Sequence, residues 1–134
     1  MTPKDDAWLV KQARAAQAKA YAPYSGFSVG AALEDENGQY FSGCNVENAS
    51  FGATCCAEQV AIFKAISAGS RKIRRLAVTA HSEGLCMPCG ICRQVMMEFA
   101  LPGFYLLAAD GQDRYQRFSL DQLLPHAFGP QDLA

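Results

Sequence analysis

From Thr54 onward the chain alternates between two hydrophobic patterns, and that alternation limits the folds open to it. Thr54 to Ala68 is rich in helix formers with Val60, Ile62, Phe63 and Ile66 as its apolar set, and Gly69 stands where a C-terminal cap would sit. Leu76 to Ala80 is a short apolar run suited to a strand. A second helix is predicted from Pro88 or Cys89 to about Ala100, and Phe104 to Ala109 reads as a further strand before an Asp110-Gly111 turn. Strands joined through helices in this way run parallel, with the helices covering the sheet.

The first third of the chain follows a different pattern. Thr2, Pro3 and Asp5 form a helix-start signal, and Leu9, Ala13, Ala16 and Ala20 follow at helical spacing. After the turn-rich Ala22 to Gly26, the residues Phe27, Val29, Ala31 and Leu33 alternate, and Asn37-Gly38 separates them from Tyr40, Phe41 and Val46. That spacing predicts a β-hairpin. Near the other end, Ser119 with Gln122 forms a capping box for a last short helix before Pro125, and the tail from Ala127 is irregular. The order predicts a single three-layer α/β domain over residues 1–134: a mixed sheet, begun by the hairpin and continued by parallel crossover strands, covered by helices.

The chain has 134 residues, half of them apolar, which suits one enclosed core. Twelve Lys and Arg against thirteen Asp and Glu leave no global field to gather a polyanion, so nucleic acid is not the expected partner. The start MTPKDDAWLV has no signal-peptide pattern, and no window reaches the apolar length of a membrane span; a cytoplasmic location is expected. Six cysteines in such a compartment read as thiols or metal ligands rather than disulfides.

Two segments carry the chemistry. Cys56-Ala57-Glu58 and Pro88-Cys89-Gly90-Ile91-Cys92 each stand at a predicted helix start. Zinc takes thiolates in tetrahedral geometry, and a catalytic zinc keeps one of its four positions open for water. Cys56, Cys89 and Cys92 fit that count, with one Zn2+ per chain. Helix N-termini offset part of the thiolate charge, and Arg93, next to a ligand, could offset more. Glu58, two residues from a ligand, is placed to move protons for a zinc-activated water. A Cys-x-Glu followed by Pro-Cys-x-x-Cys is a known signature of zinc deaminases, with the Glu outside the coordination shell.

Other readings compete with each of these. Cys55 rivals Cys56, but its offset from Glu58 is one residue too long for the signature. Cys89 and Cys92 have the spacing of a redox pair, which leaves Cys56 and Glu58 idle. A structural zinc site with Cys55 as fourth ligand would close the open position. Cys44, Cys55 and Cys86 read most simply as small buried or half-buried thiols, and His81 and His126 as surface or hydrogen-bonded histidines. The run Ser70-Arg71-Lys72-Ile73-Arg74-Arg75 reads as a solvated helix end ahead of a phosphate or oligomer patch.

Over nearly its whole length the chain resembles the short-chain, homotetrameric cytidine deaminases of pyrimidine salvage. The resemblance lies in AYAPYSGFSVGAAL at Ala20 to Leu33, GCNVENASFG at Gly43 to Gly52, PCGICRQ at Pro88 to Gln94 and LLPHAFGPQDL at Leu123 to Leu133. It implies hydrolysis of cytidine or deoxycytidine, with Glu58 protonating the ring nitrogen and the leaving amine. It also implies that Asn45 and Glu47 bind the ribose hydroxyls and that Phe27 walls the base pocket. The Asn45 to Phe51 segment would line the nucleoside site, and the Ala57 backbone would meet the base. Phe128 would come from a neighbouring subunit, and Arg93 would hydrogen-bond the ligand thiolates. Two residues depart from the family pattern: Gln59 stands where many members have an arginine that helps neutralise the thiolates, and Phe51 where many have tyrosine.

Overall fold

A computed structural model describes residues 4–133. Five strands form one mixed sheet in the order β2-β1-β3-β4-β5. In chain order the elements are α1 (Asp6–Gln17), β1 (Val29–Asp35), β2 (Tyr40–Cys44), α2 (Ala57–Ser67), β3 (Ile73–Ala80), α3 (Gly90–Phe99), β4 (Ala100–Ala109), β5 (Tyr115–Ser119) and α4 (Leu120–Leu123). β1 pairs antiparallel with both β2 and β3, β3 runs parallel to β4, and β5 returns antiparallel on β4.

The register explains the three layers. Leu33 lies opposite Leu76, and Leu76 opposite Leu106; this row packs with Ala61, Ile62, Ala65, Cys92 and Met96 of α2 and α3. One residue along, Ala32, Ala77 and Leu107 form the row on the other face, against Leu9, Val10 and Ala13 of α1. Strand side chains alternate between faces, so near-continuous apolar strands are what a sheet covered on both sides requires. Among the described residues no helix is long and apolar enough to cross a membrane.

The helix start foreseen near Thr2 and Pro3 lies partly outside the described residues. Asp5 is the cap, its carboxylate accepting from the Trp8 amide at 2.8 Å. The Ser119–Gln122 capping box is present. β5 is an addition to the expected strands. Its residues are exposed except for half-buried Phe118, as befits an edge strand, so it lacks the apolar alternation that announces one. β4 begins at Ala100 rather than Phe104, passing an irregularity in its pairing with β3 where Gly103 has φ 85°.

The basic run is corrected most. Arg71 does serve a helix end, donating to Ile66 O at 3.1 Å, but Ile73 to Arg75 belong to β3. Arg75 is 5% exposed and pairs with Asp6 at 2.6 Å and Glu34 at 2.8 Å. Asp6 also receives Tyr105 OH at 2.8 Å and Arg117, which ties α1 to β3, β4 and β5. A buried guanidinium needs such partners, since burying an unpaired charge is costly.

One contact sets the position of α2. A Cβ at Gly43 would lie 2.6 Å from Ala61 N and 2.9 Å from Ala57 O, so β2 and α2 touch backbone to backbone. Gly43→Ala should push the helix outward and destabilise the fold by about 1–3 kcal/mol, the usual cost of overpacking. Chemical denaturation measures it; an unchanged midpoint would show that the contact yields freely.

Candidate active site

Val46 brings the two halves of the site together. Outside the named strands it bridges Tyr21 on one side and Cys55 on the other, with Val46 N to Cys55 O at 3.0 Å and Cys55 N to Val46 O at 2.9 Å. The segment entering α2 therefore lies beside Asn45 and Glu47. Cys56 is the N-cap residue of α2 and Cys89 that of α3, both with extended backbone and no capping hydrogen bond from the side chain. Their thiols are thus free for other partners. Cys92 follows in the first turn of α3, fully buried.

The three sulfurs lie within 4.8 Å of one another, Cys56 to Cys89 at 3.9 Å and Cys89 to Cys92 at 3.5 Å. Tetrahedral zinc with Zn–S bonds of about 2.3 Å spaces its sulfurs about 3.8 Å apart. The donor set therefore fits zinc. Cys55 is not part of this cluster while Cys56 joins Cys89 and Cys92, which favours a three-thiol centre over a two-cysteine redox pair or a four-thiol structural site. His81 and His126 are likewise outside it.

Hydrogen bonds from the Cys92 and Cys89 thiols lower Cys56 to about 6 against the opposing effect of burial. Cys92 is raised, since it donates to Cys56 and is itself buried. Glu58 is 4% exposed, and burial, reinforced by the Cys56 charge, raises its carboxyl to about 7 from an ordinary 4.5. A carboxyl poised there can both hold and release a proton near neutral pH.

Glu58, Cys56 and Cys89 open on a cavity of about 270 Å3, shared with Phe27, Val29, Asn45, Glu47, Ala57, Cys86 and Met87. Glu47, with Ser25 and Thr54, also borders an adjoining cavity of about 380 Å3 that Phe51 lines. The Glu47 carboxylate accepts from the Tyr24 amide at 2.9 Å, the Ser25 amide at 3.1 Å and the Ser25 hydroxyl. The hydroxyl bond is the main cause of its lowered pKa, so Glu47 is an ionised acceptor fixed by the 24–25 turn. Asn45 accepts from Val29 N at 2.9 Å and donates to Phe27 O at 2.8 Å. It holds the strand entry that carries Phe27. An amide has four hydrogen-bonding sites, so Asn45 keeps capacity for a ligand.

Two of the expected site residues stand apart from both cavities and from the thiol cluster. Phe128 is 60% exposed and lines neither cavity. Arg93 makes no thiol contact: its Nε donates to Pro88 O at 2.9 Å and its Nη1 to Leu123 O at 2.8 Å. Leu123 ends α4, where a carbonyl has no partner within the helix, and the guanidinium fork supplies one. The thiol contact belongs instead to Gln59, whose Nε2 lies 3.8 Å from Cys92 Sγ. Gln59 supplies a neutral donor, leaving the helix N-termini to offset the charge.

Gln59→Ala should weaken zinc binding about tenfold or more, the usual range for partners of metal ligands. Competition against a chromophoric chelator reads this directly, and parental affinity would remove Gln59 from the site. Ser25, Cys86 and Met87 also line the cavity, a role that nothing in the adjacent sequence signals. Cys86 is raised to about 12 by burial, with Glu58 adding to it, and is a neutral wall. No local pattern marks Ser25, because its partner is 22 residues away.

The sequence pattern describing the cytidine and deoxycytidylate deaminase zinc-binding region matches residues 3–108. A cytidine deaminase of Halalkalibacterium halodurans is 43% identical over 129 residues, covering 96% of this chain and 98% of that protein. A cytidine deaminase of Sporosarcina psychrophila is 42% identical over 126 residues, 94% of this chain and 93% of its own length. Among solved structures, a cytidine deaminase from Burkholderia pseudomallei superposes with a TM-score of 0.89 at 45% identity, covering 93% of this chain and 100% of that one.

Proposed function

The chain belongs to the cytidine and deoxycytidylate deaminase zinc-binding family, and from that premise we propose that it hydrolyses cytidine and deoxycytidine to uridine and deoxyuridine with release of ammonia, in pyrimidine salvage. One observation carries the reading: the buried Glu58 carboxyl and two thiols of the three-cysteine cluster, Cys56 and Cys89, open into the same small cavity as Asn45 and Glu47.

Cys56, Cys89 and Cys92 would hold the zinc. When bound, zinc supplies a Lewis acid that makes hydroxide available near neutral pH. Hydrolysis replaces the amine on C4 by a water oxygen, so water loses protons while ring N3 and then the departing amine gain them. Glu58 carries these protons, a role suited to a carboxyl with pKa about 7. The fixed Glu47 carboxylate and the remaining Asn45 sites suit the ribose hydroxyls, and the same carboxylate would repel a substrate phosphate. Phe27 walls the base, the Ala57 backbone meets it, and Phe51 lines the sugar side.

The reading extends to assembly. Phe128 stands exposed and away from its own cavity, which supports its use by a neighbouring subunit in a homotetramer with shared sites. Exposed Phe63 and the apolar groove it forms with Phe41 and Val60 offer surface for such packing. Action in the cytoplasm, as a single domain, belongs to the same proposal, supported by six free cysteines. Loss of cytidine ultraviolet absorbance, followed with and without a zinc chelator, tests substrate, reaction and metal together. Turnover that survives chelation, or a preference for the nucleotide over the nucleoside, would overturn the reading; sedimentation showing only monomers would overturn the assembly.

A further inference from the structure

Two consecutive residues of α3, directly after the ligand Cys92, are bonded to the carboxy-terminal segment rather than to the metal site. Arg93 joins Pro88 O to Leu123 O, and Gln94 Nε2 donates to Phe128 O at 2.8 Å. Pro88 is the residue before Cys89, and Leu123 is the buried last residue of α4. Between the two anchored carbonyls the chain reverses through His126, at φ 53°. The segment from Leu124 to Phe128 is therefore suspended from the same helical turn that carries a metal ligand.

We infer that Arg93 and Gln94 are positioning residues that splint the carboxy-terminal segment to the metal-binding turn, so that the turn which places Cys92 also places Phe128. Arg93 fixes where the segment leaves α4, and Gln94 fixes where Phe128 emerges. A guanidinium suits the first task because one planar group donates to two carbonyls at once. The second task needs only a donor. Gln94 is exposed, so its bond to Phe128 O is not required to satisfy a buried amide; what it contributes is the placement of Phe128.

The test compares Gln94→Ala, Gln94→Glu and Gln94→Lys in the zinc-loaded protein. Amide hydrogen exchange over residues 124–133 should rise about fivefold in the Ala and Glu variants, the population change expected for one neutral hydrogen bond. Lys, which keeps a donor, should restore the parental rate, whereas Glu has none at neutral pH. Arg93→Ala should raise exchange in the same segment. Cytidine KM should rise by a similar factor in the Ala and Glu variants while kcat changes less than about twofold. This kinetic arm rests on the role given to Phe128 above; the exchange arm does not. Raised exchange with an unchanged KM would keep the splint and overturn that role for Phe128. Parental exchange in the Ala and Glu variants, or equal exchange in the Glu and Lys variants, would overturn the splint.

Discussion

Glu58→Gln should keep its zinc and lose turnover by about a thousandfold, within the range that a positioned proton carrier contributes. The substitution preserves the shape of a side chain that is 4% exposed and removes only its ability to exchange protons. Metal analysis alongside kcat for cytidine separates the two effects, and a parental rate in the variant would refute the mechanism. A pH signature accompanies it in the metal-free protein. The carboxyl's folded pKa of about 7 lies above its ordinary 4.5, so burial of the charged form costs stability. That cost is absent below 4.5, grows as pH rises toward 7 and levels off beyond. Gln carries no such charge, so its stability advantage over Glu58 should open across that window.

Cys92→Ala should abolish zinc retention, lowering affinity more than the roughly tenfold to hundredfold lost with an outer partner, and deamination should fall with it. The buried sulfur sits 3.5 Å from Cys89 Sγ, and no other cysteine joins the cluster to replace it. Cys55→Ala supplies the contrast: its thiol lies outside the cluster despite being adjacent to Cys56, and that variant should keep its metal. Zinc measured after gel filtration decides between them. Full retention in Cys92→Ala, or loss in Cys55→Ala, would mean that the ligands are misassigned.

The parts of this site legible in the amino-acid sequence are those that a few neighbouring residues determine. Cys56-Ala57-Glu58 and Pro88-Cys89-x-x-Cys92 lie within single turns, and the apolar runs of β3 and β4 announce themselves because both their faces are covered. What escaped depends on partners far along the chain. Arg75 looks like part of a solvated basic run until Asp6, 69 residues away, closes on it. Arg93 looks like a thiolate partner because it adjoins Cys92, yet its direction is set by a carbonyl 30 residues on. β5 has no signal of its own, since its pairing with β4 rather than its composition makes it a strand.

The two N-cap cysteines, 33 residues apart, flank the central strand: α2 precedes β3 and α3 follows it. A metal bridging them therefore closes a loop that contains α2 and the central strand β3, whose place between β1 and β4 sets where the two helix starts lie. β3 pairs antiparallel with β1 and parallel with β4, and non-local pairings of this kind are among the slower events of folding. In kinetic terms the centre is a clasp fastened on a finished sheet rather than a seed for it. Refolded chain given zinc only at the end should recover as much activity as chain refolded in its presence; a lasting deficit would show that the metal takes part earlier.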